Sequence, residues 1–272
     1  TSRLAQWVGE TAKQLSGVRH FKAKARPGEP PPQLLARAFH RELRTPRLDD
    51  DHRITRIRSE LSLDRKADDP LARGLSAVLA PEEEAHGVRI EGARRYAVLR
   101  RALEVMAEER PVVVWLDDVH VTPDGLAFAR HVAEAQAVRP SPILLLVTWR
   151  DEAVAEDPEL RREVAALQKA PDVEMMPVGP MHAVESSRLI QALLPLERSL
   201  AARVEERTAG NPAFAVQLVR DWVREGKLVE GASGYELADS GRIIASVEEV
   251  WTERVERVLR GLPDEAAKLL EL

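Results

Sequence analysis

The run Val112-Val113-Val114-Trp115-Leu116 limits what this chain can fold into more than any other feature. Every residue in it is apolar, and most are β-branched or aromatic. It lacks the alternation of a strand with one wet face, so it reads as a strand buried on both faces, as in a parallel sheet covered by helices. A second apolar run, ILLLV, sits within SPILLLVTWRDE (141–152) and also ends in polar residues. Residues 91–109 precede the first run with Tyr96, Leu99, Leu103 and Met106 at helical spacing. A helix is expected to follow it, with Thr122 as N-cap, Pro123 in the first position and Asp124 in the first turn. Short strands are expected at 17–25 and, more weakly, at 172–180. Strands alternating with helices predict an α/β fold, a three-layer αβα sandwich around a mainly parallel sheet.

The flanks add organisation. Leu4, Trp7, Val8 and Leu15 mark an amphipathic helix almost from the first residue, with Thr1 and Ser2 at its cap. RPGEPPP (26–32) is a rigid loop, 33–43 a helix, and 45–90 a charged stretch of short helices. From Met181 the pattern becomes helical, with three helices in close succession, a hairpin over 228–237 turned at Ala232-Ser233-Gly234, and two more helices over 246–262 and 263–272. The expected domains are therefore 1–180, an α/β core, and 181–272, a helical lid running into a following helical or winged-helix domain.

Composition excludes several classes. With no cysteine there is neither a disulfide framework nor a cysteine metal site, which fits a reducing cytoplasm. The net charge of −5, from 40 basic and 45 acidic residues, gives no electrostatic footprint for direct nucleic-acid binding. No run of apolar residues is long enough to span a membrane, and the first residues do not form a signal peptide.

Ligands of open parallel sheets gather at the carboxyl ends of the strands. Two strands here end there in polar groups: Asp117-Asp118, and Thr148-Trp149-Arg150. Asp117 is suited to holding magnesium through water, and Asp118 to orienting an attacking water. Thr148 is suited to sensing that water or a phosphate, and Arg150 to meeting phosphate charge. The plainer alternative is a strand-to-helix turn with a solvated aspartate, with Arg150 paired to Asp151 or Glu152. Gly210-Asn211-Pro212 likewise reads as a helix stop, a cap and a first-turn proline. The histidines show no metal-ligand spacing, and no G-x-S-x-G elbow occurs. Trp115, Trp149, Trp222 and Trp251 lie on apolar faces and read as core. No glycine begins the phosphate-binding pattern G-x-x-x-x-G-K-[ST]. A magnesium nuclease is disfavoured, because no further acidic strand end completes a two-metal site.

In order and spacing, VVVWLDDVH, ILLLVTWRDE and TAGNPAFAVQLV with GKLVEGASGYEL resemble the STAND-type P-loop ATPases. These AAA+-related modules belong to large bacterial multidomain signalling proteins such as Ser/Thr kinases and transcription regulators. The similarity covers almost the whole chain and is strongest from Arg110 to Leu262, although Val121 stands where the family usually has an aromatic residue. The resemblance implies ATP or ADP with Mg2+ as ligands, Asp117 toward the metal and Asp118 as the catalytic acid. It implies that Thr148 and Arg150 stand on the sensor strand and that Gly210-Asn211-Pro212 is the G-x-P motif near the adenine. Thr1-Ser2-Arg3-Leu4-Ala5 matches the helix after the phosphate loop, with Ser2 (or Thr1) as the magnesium-binding hydroxyl. The glycines, lysine and first strand of that loop would then precede Thr1. The expected function is an ATP-dependent regulatory switch with attached sensor or effector domains and possible homo-oligomerisation. The alternative is a non-catalytic interaction module derived from such a domain.

Overall fold

The computed structural model describes residues 2–28, 30–64, 69–80, 90 and 92–238. The chain divides into two compact units, Thr1–Met176 and Pro177–Leu272. The first is an α/β unit on a parallel sheet of β1 (Arg19–Lys24), β2 (Val112–Asp117) and β3 (Ile143–Val147), in that spatial order. Both apolar runs form neighbouring strands, as their sequences dictate.

Register sorts the strand residues onto two faces. Phe21, Val114 and Leu145 lie side by side on one face, and Lys22, Trp115 and Leu146 on the other. The first face feeds the main core through Phe21, Ala23, Val112, Val114 and Leu116. That core is closed by α2 (Pro31–Glu42), α3 (Asp50–Glu60), α4 (Asp69–Leu79), α5 (Gly92–Glu109), α6 (Asp124–Val138), α7 (Asp151–Glu156) and α8 (Pro158–Gln168). Phe39 of α2 meets Phe21 edge-on with ring centroids 5.5 Å apart.

The opposite face is covered by α1 (Ser2–Ser16), which contacts β1 and β2. Ala5 is buried there, and Gly9 lies so close to the His20 imidazole that a Cβ would overlap the ring. Small residues thus make the approach. Of the expected apolar stripe, Leu4 is 41% and Trp7 61% exposed, whereas Val8 is half-buried.

The two sheet edges differ. On the outer edge of β1 the carbonyls of Lys22 and Lys24 accept hydrogen bonds from Arg41 and Arg37 of α2. β3 uses Pro142 and Thr148 to bond β2, so Leu145 and Val147 turn their backbone groups outward, with no hydrogen-bond partner among the described residues. Leu144 is 47% exposed beside them.

Other expectations are corrected. Residues 172–180 form no strand; Met175, Met176 and Val178 are exposed, and Pro177 and Pro180 remove ladder donors. The helix after β2 begins at Asp124 rather than Pro123, because a 3₁₀ turn, Val119–Val121, intervenes. Thr122 does not cap it; its hydroxyl is buried without a partner among the described residues.

The second unit contains α9 (Ala183–Leu193), α10 (Arg198–Thr208) and α11 (Pro212–Arg224), followed by the antiparallel hairpin of β4 (Leu228–Gly231) and β5 (Gly234–Leu237). Ile190, Leu200, Val204, Phe214, Leu218 and Trp222 form its core. The loop of the hairpin is Ala232-Ser233, since Gly234 already belongs to β5. The helices expected over 246–262 and 263–272, together with Trp251 and Thr1, lie outside the described residues. No helix among the described residues is long and apolar enough to cross a membrane.

Candidate functional site

The carboxyl ends of β2 and β3 bring Asp117, Asp118 and Thr148 together. Asp117 is the last residue of β2 and is fully buried. Asp118 follows in a left-handed backbone conformation, φ 59° and ψ 40°, which aspartate adopts more readily than most non-glycine residues. That turn separates the two carboxylates. The Thr148 hydroxyl donates to Asp117 Oδ1 at 2.8 Å and accepts the Asp118 backbone N–H at 3.2 Å. The Thr148 backbone N–H donates to the Leu116 carbonyl, and its own carbonyl accepts from Val119 N–H. One residue therefore ties the acidic turn to the neighbouring strand through both its side chain and its backbone.

His120 and Arg150 stand next to this cluster. Arg150 Nε donates to His120 Nε2 at 3.1 Å, so Arg150 is not held by Asp151 or Glu152 in this geometry. A guanidinium can only donate, so this bond fixes His120 as the neutral imidazole with its proton on Nδ1. Burial, reinforced by the charge of Arg150, pushes His120 below its ordinary pKa, and the two aspartates only partly oppose this. Arg150 is exposed.

Both carboxylates already have cationic partners, and these were not anticipated from the sequence. Lys22 Nζ lies 2.9 Å from Asp117 Oδ2 and 3.3 Å from the centroid of the Trp115 ring. Lys24 Nζ lies 3.3 Å from Asp118 Oδ2. The signal that could have found them is the alternation of RHFKAK, which puts His20, Lys22 and Lys24 on the sheet face of Val113, Trp115 and Asp117. Magnesium at Asp117 does not fit this arrangement: Thr148 takes one oxygen and an ammonium faces the other. Among the described residues no group of three or more His, Cys, Asp or Glu side chains could hold a metal ion.

The remaining candidates lie elsewhere. Ser2 opens α1, and its side chain is outside the described part of the structure. Gly210, Asn211 and Pro212 belong to the second unit. Gly210 has φ 74°, and a Cβ there would sit 2.6 Å from the Met181 carbonyl oxygen, whose own N–H donates to Gly210 O at 2.9 Å. Asn211 caps α11 by accepting from Ala213 N–H at 3.0 Å and Phe214 N–H at 3.1 Å, and Pro212 fills the first turn. Trp115 and Trp222 are buried, and Trp149 packs against the main core.

Compared with protein-family models, with curated proteins and with solved structures, the chain matches none.

Proposed function

We propose that this chain is a nucleotide-dependent regulatory switch module of the STAND type, with a three-layer P-loop-like core and a helical lid. In this reading it belongs to a multidomain signalling protein such as a Ser/Thr kinase or a transcription regulator. The observation that carries the proposal is the joining of Asp117, Asp118 and Thr148 by hydrogen bonds at the carboxyl ends of neighbouring parallel strands. That is the place where open α/β sheets bind ligands. Asp118, the less buried acid, orients water; Thr148 positions both acids; Arg150, exposed and already donating, meets phosphate charge. Gly210-Asn211-Pro212 is read as the G-x-P motif of the second unit, the helical lid, with ATP or ADP as the ligand. Magnesium does not fit the acid pair as arranged, so the residues above act on water and phosphate directly.

A second reading, a non-catalytic interaction module, is favoured by one specific observation: a lysine already neutralises each acid. The two readings separate by calorimetry with ATP. None of the 14 glycines supplies a phosphate loop, so the 272-residue chain is expected to bind ATP weakly. Within a polypeptide that does supply such a loop, it is expected to bind tightly, and Asp118→Asn is expected to slow hydrolysis more than binding. An extended protein that binds no nucleotide leaves the interaction module.

A further inference from the structure

We infer that Lys22 and Lys24 are built-in counter-ions of the acid pair, so that a divalent cation reaches Asp117 only by displacing Lys22. This goes beyond the nucleotide reading and holds whether or not the chain binds ATP.

Asp117 exposes 1% of its side chain. A carboxylate that deep is costly unless it is paired, and Thr148 offers only a neutral hydroxyl. Lys22 supplies the charge. Its ammonium sits between Asp117 Oδ2 and the face of Trp115, so a cation–π contact and an ion pair hold it together. The strand beneath it is fixed as well, because the Lys22 carbonyl accepts from Arg41. Register explains the reach: Lys22 stands opposite Trp115, and Asp117 is its diagonal neighbour on the same face. The outer pair is looser. Lys24 is 60% and Asp118 30% exposed on their side chains, at 3.3 Å. The acids are thus locked in a graded way, the inner one firmly and the outer one lightly.

A divalent ion coordinated to Asp117 Oδ2 would lie against the Lys22 ammonium. Mutual repulsion in that partly desolvated place opposes binding far more than it would in water. The cation and the lysine therefore compete, and Lys22 is a positioning residue that keeps the site closed to metal.

The test uses the folded 272-residue chain, with Mn2+ as probe by electron paramagnetic resonance and thermal unfolding with and without Mg2+. The wild type is expected to bind Mn2+ weakly and to melt at the same temperature in either buffer. Lys22→Met is expected to bind Mn2+ at least about tenfold more tightly and to gain thermal stability from Mg2+, as a ligand of the native state must confer. Lys22→Arg, which keeps the charge, should show no gain, and adding Asp117→Asn to Lys22→Met should abolish it. Wild-type binding as tight as that of Lys22→Met, or a folded Lys22→Met without the gain, overturns the inference. Should Lys22→Met fail to fold, Lys22→Gln, which also removes the charge, carries the same test at Asp117, and no tightening there overturns the inference equally.

Discussion

Thr148 is the residue on which the geometry of the acid pair turns, because one hydroxyl serves both aspartates. Thr148→Val keeps the shape and removes the donor to Asp117 and the acceptor for Asp118 N–H. Leaving those buried groups unsatisfied is expected to cost about 1–3 kcal/mol, measured by urea unfolding, whereas Thr148→Ser should lose much less. A valine variant as stable as wild type would show that the hydroxyl does not hold the turn. Tyr96 offers a second test at this scale. Its hydroxyl donates to Asp124 Oδ1 at 2.7 Å, beside the buried Arg95–Asp124 pair. Burial, and then the charge of Asp124, push its pKa from 10.0 up to about 12. A raised pKa means that the native state favours the protonated phenol. The stabilisation is fully present below pH 10.0 and lost as pH rises through about 12. Stability measured over that alkaline range should therefore fall more steeply for wild type than for Tyr96→Phe, and parallel profiles would exclude Tyr96 as the cause.

At the scale of elements, Asn211 is a cap whose worth can be measured. Asn211→Ala removes the acceptor for two orphan N–H groups of α11 and should destabilise the second unit by about 0.5–2 kcal/mol, while Asn211→Asp should cost little. A loss with aspartate equal to that with alanine would assign the effect to something other than the cap. The edges of the sheet make a different prediction. Arginines of α2 cover β1, but β3 is an apolar edge whose outward backbone groups have no partner among the described residues, which is a template for association. Leu144→Lys is expected to reduce concentration-dependent self-association by light scattering without lowering the melting temperature; unchanged scattering would clear this edge. These elements also show what the sequence made legible. VVVWL could hardly be anything but a buried strand, ILLLV reads as a strand although at the sheet edge it is only half-buried, and helix spacing over 92–109 is unambiguous, because burial on known periods leaves its mark in the letters. At 172–180 the letters misled, since apolar residues without a partner strand and between prolines do not pair. The acid pair and Thr148 were legible as strand ends. Their lysine partners were not, because register, which brings Lys22 diagonal to Asp117, is a property of two strands paired 93 residues apart in the chain and of neither alone.

For the molecule as a whole, titration links the packing of the first unit to pH. His40, His120 and His131 are all held below their ordinary pKa of 6.5, each chiefly by burial. In each case the native state disfavours the imidazolium. The unfolded chain therefore binds more protons near 6.5, and stability rises with pH across that window. It is fully present above 6.5 and is lost as pH falls through the depressed native values. Unfolding in urea is expected to show a less stable first unit at about pH 5.5 than at about pH 7.5. Asp124 acts with the opposite sign, because burial raises its pKa and its contribution is lost as pH rises. The wild-type slope is thus a net quantity, and a variant isolates one histidine. His40 is the best choice. Its Nδ1 meets Thr45 Oγ1 at 2.9 Å and its Nε2 the Leu79 carbonyl at 2.8 Å, so the ring joins the end of α2 to the end of α4, with Arg53 adding repulsion to any charge it gains. The carbonyl can only accept, so Nε2 carries the proton of the neutral ring, and Nδ1 is left to accept from the threonine. A second proton on Nδ1 removes that acceptor and sets a buried charge beside Arg53. His40→Gln should accordingly flatten the acid slope and cost stability at neutral pH, where the ring makes both bonds. If acidification exposes α4 first, hydrogen exchange of its amides should quicken at about pH 5.5 in wild type and less so in the variant, and uniform quickening across the unit would place the pH sensitivity elsewhere than His40.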